Sequence, residues 1–69
     1  MIRVILTKTA FTFFMKELKA NNIPIQSRTR TTLYFTKELP KLKMAIRMVR
    51  ERFGSRSIIV RELYFQNLN

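Results

Sequence analysis

The chain of 69 residues contains no cysteine, no histidine and no aspartate. Without cysteine, it can have neither a disulfide scaffold nor a thiolate metal site. Without histidine, it lacks the commonest metal ligand and the usual proton acceptor near neutral pH. No paired-carboxylate spacing for acid–base catalysis is present, since the acids are four scattered residues: Glu17, Glu38, Glu51 and Glu62. We therefore expect a protein that is not an enzyme and that uses no metal and no cofactor.

Negative charge is almost as scarce as these residue types. Four glutamates oppose fourteen lysines and arginines, which gives a formal net charge of +10. The hydrophobic fraction of 46% is normal for a globular fold and too high for a disordered basic tail. Self-repulsion among the uncompensated charges opposes the compact state, and a bound anion would relieve it. The composition therefore predicts a folded protein with a polyanionic partner.

Long apolar runs are also missing. No stretch approaches the ~20 apolar residues that a membrane-spanning helix needs, so we expect no membrane span. The length supports one small domain, which we place at residues 1–65, followed by a frayed tail at residues 66–69. The absence of cysteine fits a reducing compartment, and we expect the protein in the cytoplasm.

The first third of the chain has the pattern of a strand followed by a helix. Residues 2–6 are mostly β-branched and apolar and have no helix start signal, which predicts strand 1. Thr7 and Thr9 are both suitable N-caps for the next helix. That helix has an apolar stripe at helical spacing, formed by Phe11, Phe14, Met15 and Leu18. Asn21 and Asn22 can end it, because asparagine tolerates the left-handed conformation.

Residues 23–36 alternate with period two around a polar middle at residues 28–31. We interpret this run as a hairpin, with strand 2 near residues 23–28 and strand 3 near residues 31–36. One long bent strand is the alternative, because no glycine marks the turn. Pro40 then suits the first turn of a second helix, and Gly54 suits its end. Residues 57–65 are rich in Ile, Val, Tyr and Phe and predict strand 4.

The resulting element order is βαββαβ, which favours an α+β two-layer sandwich of the ferredoxin-like type. In this fold a four-stranded antiparallel sheet carries two helices on one face. Right-handed crossovers place strands 1 and 3 in the centre of the sheet. The single apolar stripe of each helix agrees with this arrangement, which leaves the other sheet face open.

Alternation along the strands predicts which side chains lie on this open sheet face. Those expected there are Arg3, Ile5, Gln26, Arg28, Tyr34, Ile59 and Arg61. An aromatic residue among guanidinium groups is typical of sheets that bind nucleic acid, where bases stack and arginines hold phosphates. The alternatives are an interface with a second copy of the chain or a face partly covered by the C-terminal tail.

Two more basic groups are candidate phosphate contacts. On helix 2, a stripe at i, i+4 and i+7 is formed by Lys43, Arg47 and Arg50. At the tip of the hairpin, Arg28 and Arg30 form a pair that could clamp a phosphate or enter a groove. The alternatives are a solvated basic helix face and ordinary solubilising charge on a loop.

Three apolar residues point away from the predicted core, namely Phe13 on helix 1 and Met44 and Met48 on helix 2. Exposed phenylalanine and methionine suit a protein-contact surface. A solitary exposed phenylalanine without a role is the alternative.

We therefore expect a small basic protein that binds DNA or RNA through largely electrostatic, weakly sequence-specific contacts. The alternative hypothesis is a modulator that binds and inhibits an acidic host protein, with a basic surface for attraction and apolar residues as anchors. Such a small product suits a phage or a mobile element, which would place it in the host cytoplasm.

Overall fold

The sequence folds into the predicted order of strands and helices. A computed structural model describes residues 1–62. Its elements are β1 (Ile2–Leu6), α1 (Lys8–Ala20), β2 (Ser27–Thr29), β3 (Thr32–Phe35), α2 (Pro40–Phe53), a 3₁₀ turn (Ser55–Ser57) and β4 (Ile58–Glu62). The strands form one antiparallel sheet in the order β2-β3-β1-β4, so β1 and β3 are central. The ferredoxin-like α+β prediction is confirmed.

The core lies between the sheet and the two helices. Alternate residues of β1 are buried, with Val4 fully inaccessible, and Leu33 and Phe35 are buried on β3. Phe14 of α1 packs edge-on against Phe35, with 6.3 Å between the ring centroids. From α2 the core receives Leu42, Ala45, Ile46 and Val49. Each helix therefore buries the one apolar stripe that its periodicity predicts.

The ends of α1 follow from the side chains at its termini. The Thr7 hydroxyl accepts a hydrogen bond from the Ala10 backbone N–H at 3.4 Å, so Thr7 is the N-cap. At the other end, Asn22 adopts a positive φ of 54°. The Asn21 backbone N–H and side-chain amide both donate to the carbonyl of Glu17. These bonds satisfy groups that a helix end leaves unpaired.

Gly54 ends α2 with a backbone conformation that only glycine adopts readily. Its dihedral angles are φ 96° and ψ 161°, in a region essentially closed to side-chain-bearing residues. Its N–H donates to the Arg50 carbonyl at 2.9 Å, which closes the helix. The chain can then turn through Ser55–Ser57 into β4, where the Ser57 carbonyl accepts from the Thr7 N–H.

The hairpin forms, but its first strand is shorter and later than predicted. β2 covers Ser27–Thr29, because Ile23 turns into the core and Pro24 has no N–H for a strand ladder. Thr29 pairs with Thr32, which leaves a two-residue turn, and Arg30 in that turn has a positive φ of 50°. This is the conformation that two-residue hairpins favour, supplied here without glycine.

The last strand agrees with the prediction over the residues that the structure describes. β4 begins at Ile58 and reaches Glu62, and the predicted continuation to residue 65 and the tail at 66–69 lie outside the described residues. Within residues 1–62, neither helix has the length and apolar character that crossing a bilayer requires.

Candidate functional site

Strand register arranges the open sheet face in two parallel rows of side chains. Residues directly opposite each other on paired strands share a face of the sheet. The arginine row contains Ser27, Tyr34, Arg3 and Arg61, in that order across β2, β3, β1 and β4. The isoleucine row contains Thr29, Thr32, Ile5 and Ile59 in the same order. Because Ile2, Val4 and Leu6 point into the core, both rows lie on the side away from the helices.

The arginine row sets two positive charges directly opposite each other. Arg3 of β1 pairs with Arg61 of β4, and no acidic residue belongs to either row. Side chains at directly opposite positions have Cβ atoms about 5 Å apart, and like charges there are destabilising. Arg3 is half-buried, and its Nε is fully buried without a hydrogen bond to any of residues 1–62. An anion between these two guanidinium groups would offset the repulsion and accept charge-assisted hydrogen bonds.

Apolar surface lies next to this charge pair. Tyr34 is half-buried directly beside Arg3 on β3, and Ile5 is half-buried in the neighbouring row. Ile59 keeps 47% of its surface exposed and adds apolar area to this face. The open face therefore combines two guanidinium groups with apolar surface on which a planar ring can stack.

The prediction that Arg28 lies on the open sheet face is wrong. The register pairs Arg28 with the buried Leu33, so it is on the helix side of the sheet. Its guanidinium carbon lies 5.3 Å from the centroid of the Phe11 ring on α1. The alternation that begins at Ile23 does not continue into β2, and a shift of one residue moves every side chain of a strand to the other face. Gln26 is exposed and precedes β2, outside the two rows.

The hairpin tip therefore carries one of the two arginines expected there. Arg30 is exposed in the turn, whereas Arg28 is engaged with Phe11. A two-arginine clamp at the tip does not form in this structure.

The basic stripe of α2 comes together as expected, but it is partly neutralised. Lys43, Arg47 and Arg50 line one groove of about 440 Å³. Glu38 and Glu51 line the same groove, and the Nε of Arg47 lies 3.2 Å from the Oε2 of Glu51. Three cations and two acids leave a formal charge of +1 there, compared with +2 on the open sheet face. The stripe thus carries less net positive charge than the open sheet face.

The three predicted protein-contact residues have different surroundings. Met44 and Met48 are exposed, at 63% and 40%. Phe13 is not solitary and exposed, as its helix position suggested. It is half-buried, its ring centroid is 5.5 Å from that of Phe53, and the guanidinium of Arg52 lies 5.0 Å from it.

Sequence reasoning missed the cleft that these aromatic residues help to form. It lies where α1 begins and α2 ends, and it includes Lys8, Thr12 and Lys16. The signal was available in the sequence, because these three residues recur at a spacing of four on one side of the predicted helix. Phe53 and Arg52 come from a distant part of the chain, and their approach to Phe13 depends on helix packing.

Comparison of the chain with models of protein families, with curated proteins and with solved structures finds no match.

Proposed function

We propose that this protein binds nucleic acid through largely electrostatic, weakly sequence-specific contacts, and that the open sheet face holds a single-stranded segment. The observation that carries the proposal is the Arg3–Arg61 pair beside Tyr34, on a face without acidic residues. Phosphate bound between the two guanidinium groups would remove a repulsion that the folded chain otherwise contains.

The two rows suit the two chemical parts of a nucleotide. They are two residues apart along β1, which corresponds to about 6.7 Å. A phosphate at the arginine row would therefore place its sugar and base over Tyr34 and the isoleucine row. Unpaired bases can stack on such a platform, whereas the bases of a duplex already stack on each other. The face should accordingly prefer single strands.

The remaining side chains of the rows explain why we expect weak sequence specificity. They are the hydroxyl residues Ser27, Thr29 and Thr32. A hydroxyl both donates and accepts, so it can hydrogen-bond to the edge of any base. The rows contain no carboxamide or carboxylate that would favour one base.

Salt dependence tests the proposal directly. We expect tight binding of single-stranded oligonucleotides at low salt and a steep loss of affinity as salt rises. Two phosphate contacts alone give a slope of about −1.4 in log K against log salt, since each contributes about −0.7. Fluorescence anisotropy with labelled single-stranded and duplex oligonucleotides across a salt series would measure both slopes. Absent binding at low salt, or an affinity that does not change with salt, would contradict the proposal.

Tyr34 supplies a second test, because it separates stacking from charge. Replacing Tyr34 by Ala should weaken single-strand binding at the open sheet face about 5- to 150-fold, which corresponds to about 1–3 kcal/mol for one stacked base. Duplex binding should change much less. Tyr34→Phe is the matched control, since it keeps the ring and should retain nearly all the affinity. Equal losses for single strands and duplexes in Tyr34→Ala would exclude the stacking role.

The second candidate function is the modulator of an acidic protein. The exposed Met44 and Met48, one turn apart on α2, favour it because methionine adapts to varied apolar contacts. On this hypothesis the chain would be a phage or mobile-element product acting in the cytoplasm of its host. Capture of partners before and after nuclease treatment distinguishes the two candidates, because a protein partner survives the nuclease and partners joined through nucleic acid are lost.

We do not propose a dimer through the open sheet face. Stacking two such faces would bring Arg3 and Arg61 of each copy close to the arginines of the other. No acid in either row is available to compensate these charges.

A further inference from the structure

The cleft between the helices is a strongly basic surface on the opposite side of the molecule from the open sheet face. It has a volume of about 660 Å³ and lies where α1 begins and α2 ends. Six of the residues that line it are Lys8, Thr12, Phe13, Lys16, Arg52 and Phe53. The lining residues include three cations and no acid, which gives a formal charge of +3. The two rows of the open sheet face carry +2.

One side of α1 supplies two of the cations. Lys8, Thr12 and Lys16 follow each other at intervals of one turn and are all exposed, so the two lysines are two turns, or about 12 Å, apart along the helix. The Thr12 hydroxyl donates to the Lys8 carbonyl at 3.4 Å and can still accept a hydrogen bond. Two ammonium groups at this spacing fit an extended anion that runs along the helix, such as a chain of phosphates.

Arg52 supplies the third cation and is held by aromatic rings. Its guanidinium carbon lies 5.0 Å from the Phe13 centroid and 5.9 Å from the Phe53 centroid. The two rings contact each other edge to face, with centroids 5.5 Å apart. Among residues 1–62, Arg52 forms no ion pair. An exposed guanidinium that is fixed in this way loses little freedom when it binds, and its plane can stack on a base or hydrogen-bond to a phosphate.

We propose that this cleft is a second binding site for single-stranded nucleic acid, so that one protein molecule holds two segments at once. The inference rests on the proposed function and extends it. Phosphates would lie along Lys8 and Lys16, and a base would stack on Arg52. Because the cleft belongs to the helix layer and the two rows belong to the far side of the sheet, one short strand cannot occupy both sites. The protein therefore bridges two strands, or two parts of one long strand.

Binding stoichiometry tests this inference. Calorimetric titration of the whole protein with a thymidine oligonucleotide of about six nucleotides at low salt should give two oligonucleotides per wild-type chain. The cleft variant Lys16→Gln with Arg52→Gln should bind one. The open-face variant Arg3→Gln with Arg61→Gln should also bind one, and Arg61→Gln alone should weaken one of the two sites without disturbing the half-buried Arg3.

A variant of equal charge controls for the general loss of attraction. Lys37→Gln with Arg56→Gln changes two exposed cations outside both sites, one in the loop before α2 and one in the 3₁₀ turn, and its net charge of +8 equals that of the other double variants. It should still bind two oligonucleotides. A cleft variant with unchanged stoichiometry would overturn the second site and leave the proposed function intact. If the wild-type chain binds one oligonucleotide and only the cleft variant loses it, the two-segment proposal is overturned. The open sheet face would then not be the binding site. A wild-type chain that binds none would overturn both proposals.

Discussion

The double substitution Arg3→Gln with Arg61→Gln is expected to weaken single-strand binding at the open sheet face roughly 60-fold at 50 mM salt. Each phosphate contact multiplies the association constant by the molar salt concentration raised to the power of about −0.7. At 50 mM salt this factor is about eightfold. Two contacts multiply to the expected loss. The effect should be measured in the Lys16→Gln Arg52→Gln background, where binding at the cleft does not contribute.

The same prediction has a signature that a folding defect would not produce. Because the lost term is counterion release, the affinities of the variant and its parent should converge as salt rises toward 1 M. The charge-matched pair Lys37→Gln with Arg56→Gln, placed in the same background, should lose much less affinity at 50 mM salt. If the two pairs behave alike, the rows on the open face have no special role and only the net charge matters.

Replacing Phe14 by Ala is expected to remove much or all of the stability of the fold. Phe14 is fully buried and packs edge-on against Phe35. Removing a buried phenylalanine side chain destabilises a fold by about 3–5 kcal/mol, through lost burial and the cavity that remains. A chain of this length has a total stability of about 3–10 kcal/mol, so the substitution removes much or all of it.

Urea denaturation followed by circular dichroism would measure this change in the free energy of unfolding. Met44→Ala is the control, because Met44 is 63% exposed on α2 and its removal should change stability by less than about 0.5 kcal/mol. A Phe14→Ala chain as stable as Met44→Ala would show that the interface between α1 and the sheet is not the core.

The overall fold could be predicted because burial and periodicity agree in the strands and helices that carry the core. Ile2, Val4 and Leu6 alternate on β1, and Phe14 and Leu18 are one turn apart on α1, so each pattern admits one element type. The helix ends also follow local rules, with Thr7 as a cap and Gly54 at a conformation closed to other residues.

The first strand of the hairpin could not be placed in the same way. Its alternation continues back to Ile23, but Ile23 is buried beside α1 and Pro24 cannot join a ladder. The register is set by the turn at Arg30, which has a positive φ. An arginine in the sequence does not predict this backbone conformation. The face to which Arg28 belongs depends on that register and so could not be read from alternation.

The cleft shows a different limit of sequence reasoning. Phe53 lies forty positions after Phe13 in the chain, and no local pattern relates the two positions. What the sequence shows is that Phe13 lies off the main stripe of its helix. Its partner becomes known only when the two helices pack side by side.

The short edge strand has a consequence for the behaviour of the protein at high concentration. β2 is the outer strand of the sheet next to β3, with three residues, all exposed, and it leads into Arg30. A sheet edge is a template on which strands of other molecules can add, and brevity and charge are the features that prevent such addition. Arg28 within the strand and Arg30 after it would meet the same charges on an incoming copy. This edge therefore resists the growth of intermolecular sheets, which helps the chain to avoid aggregation.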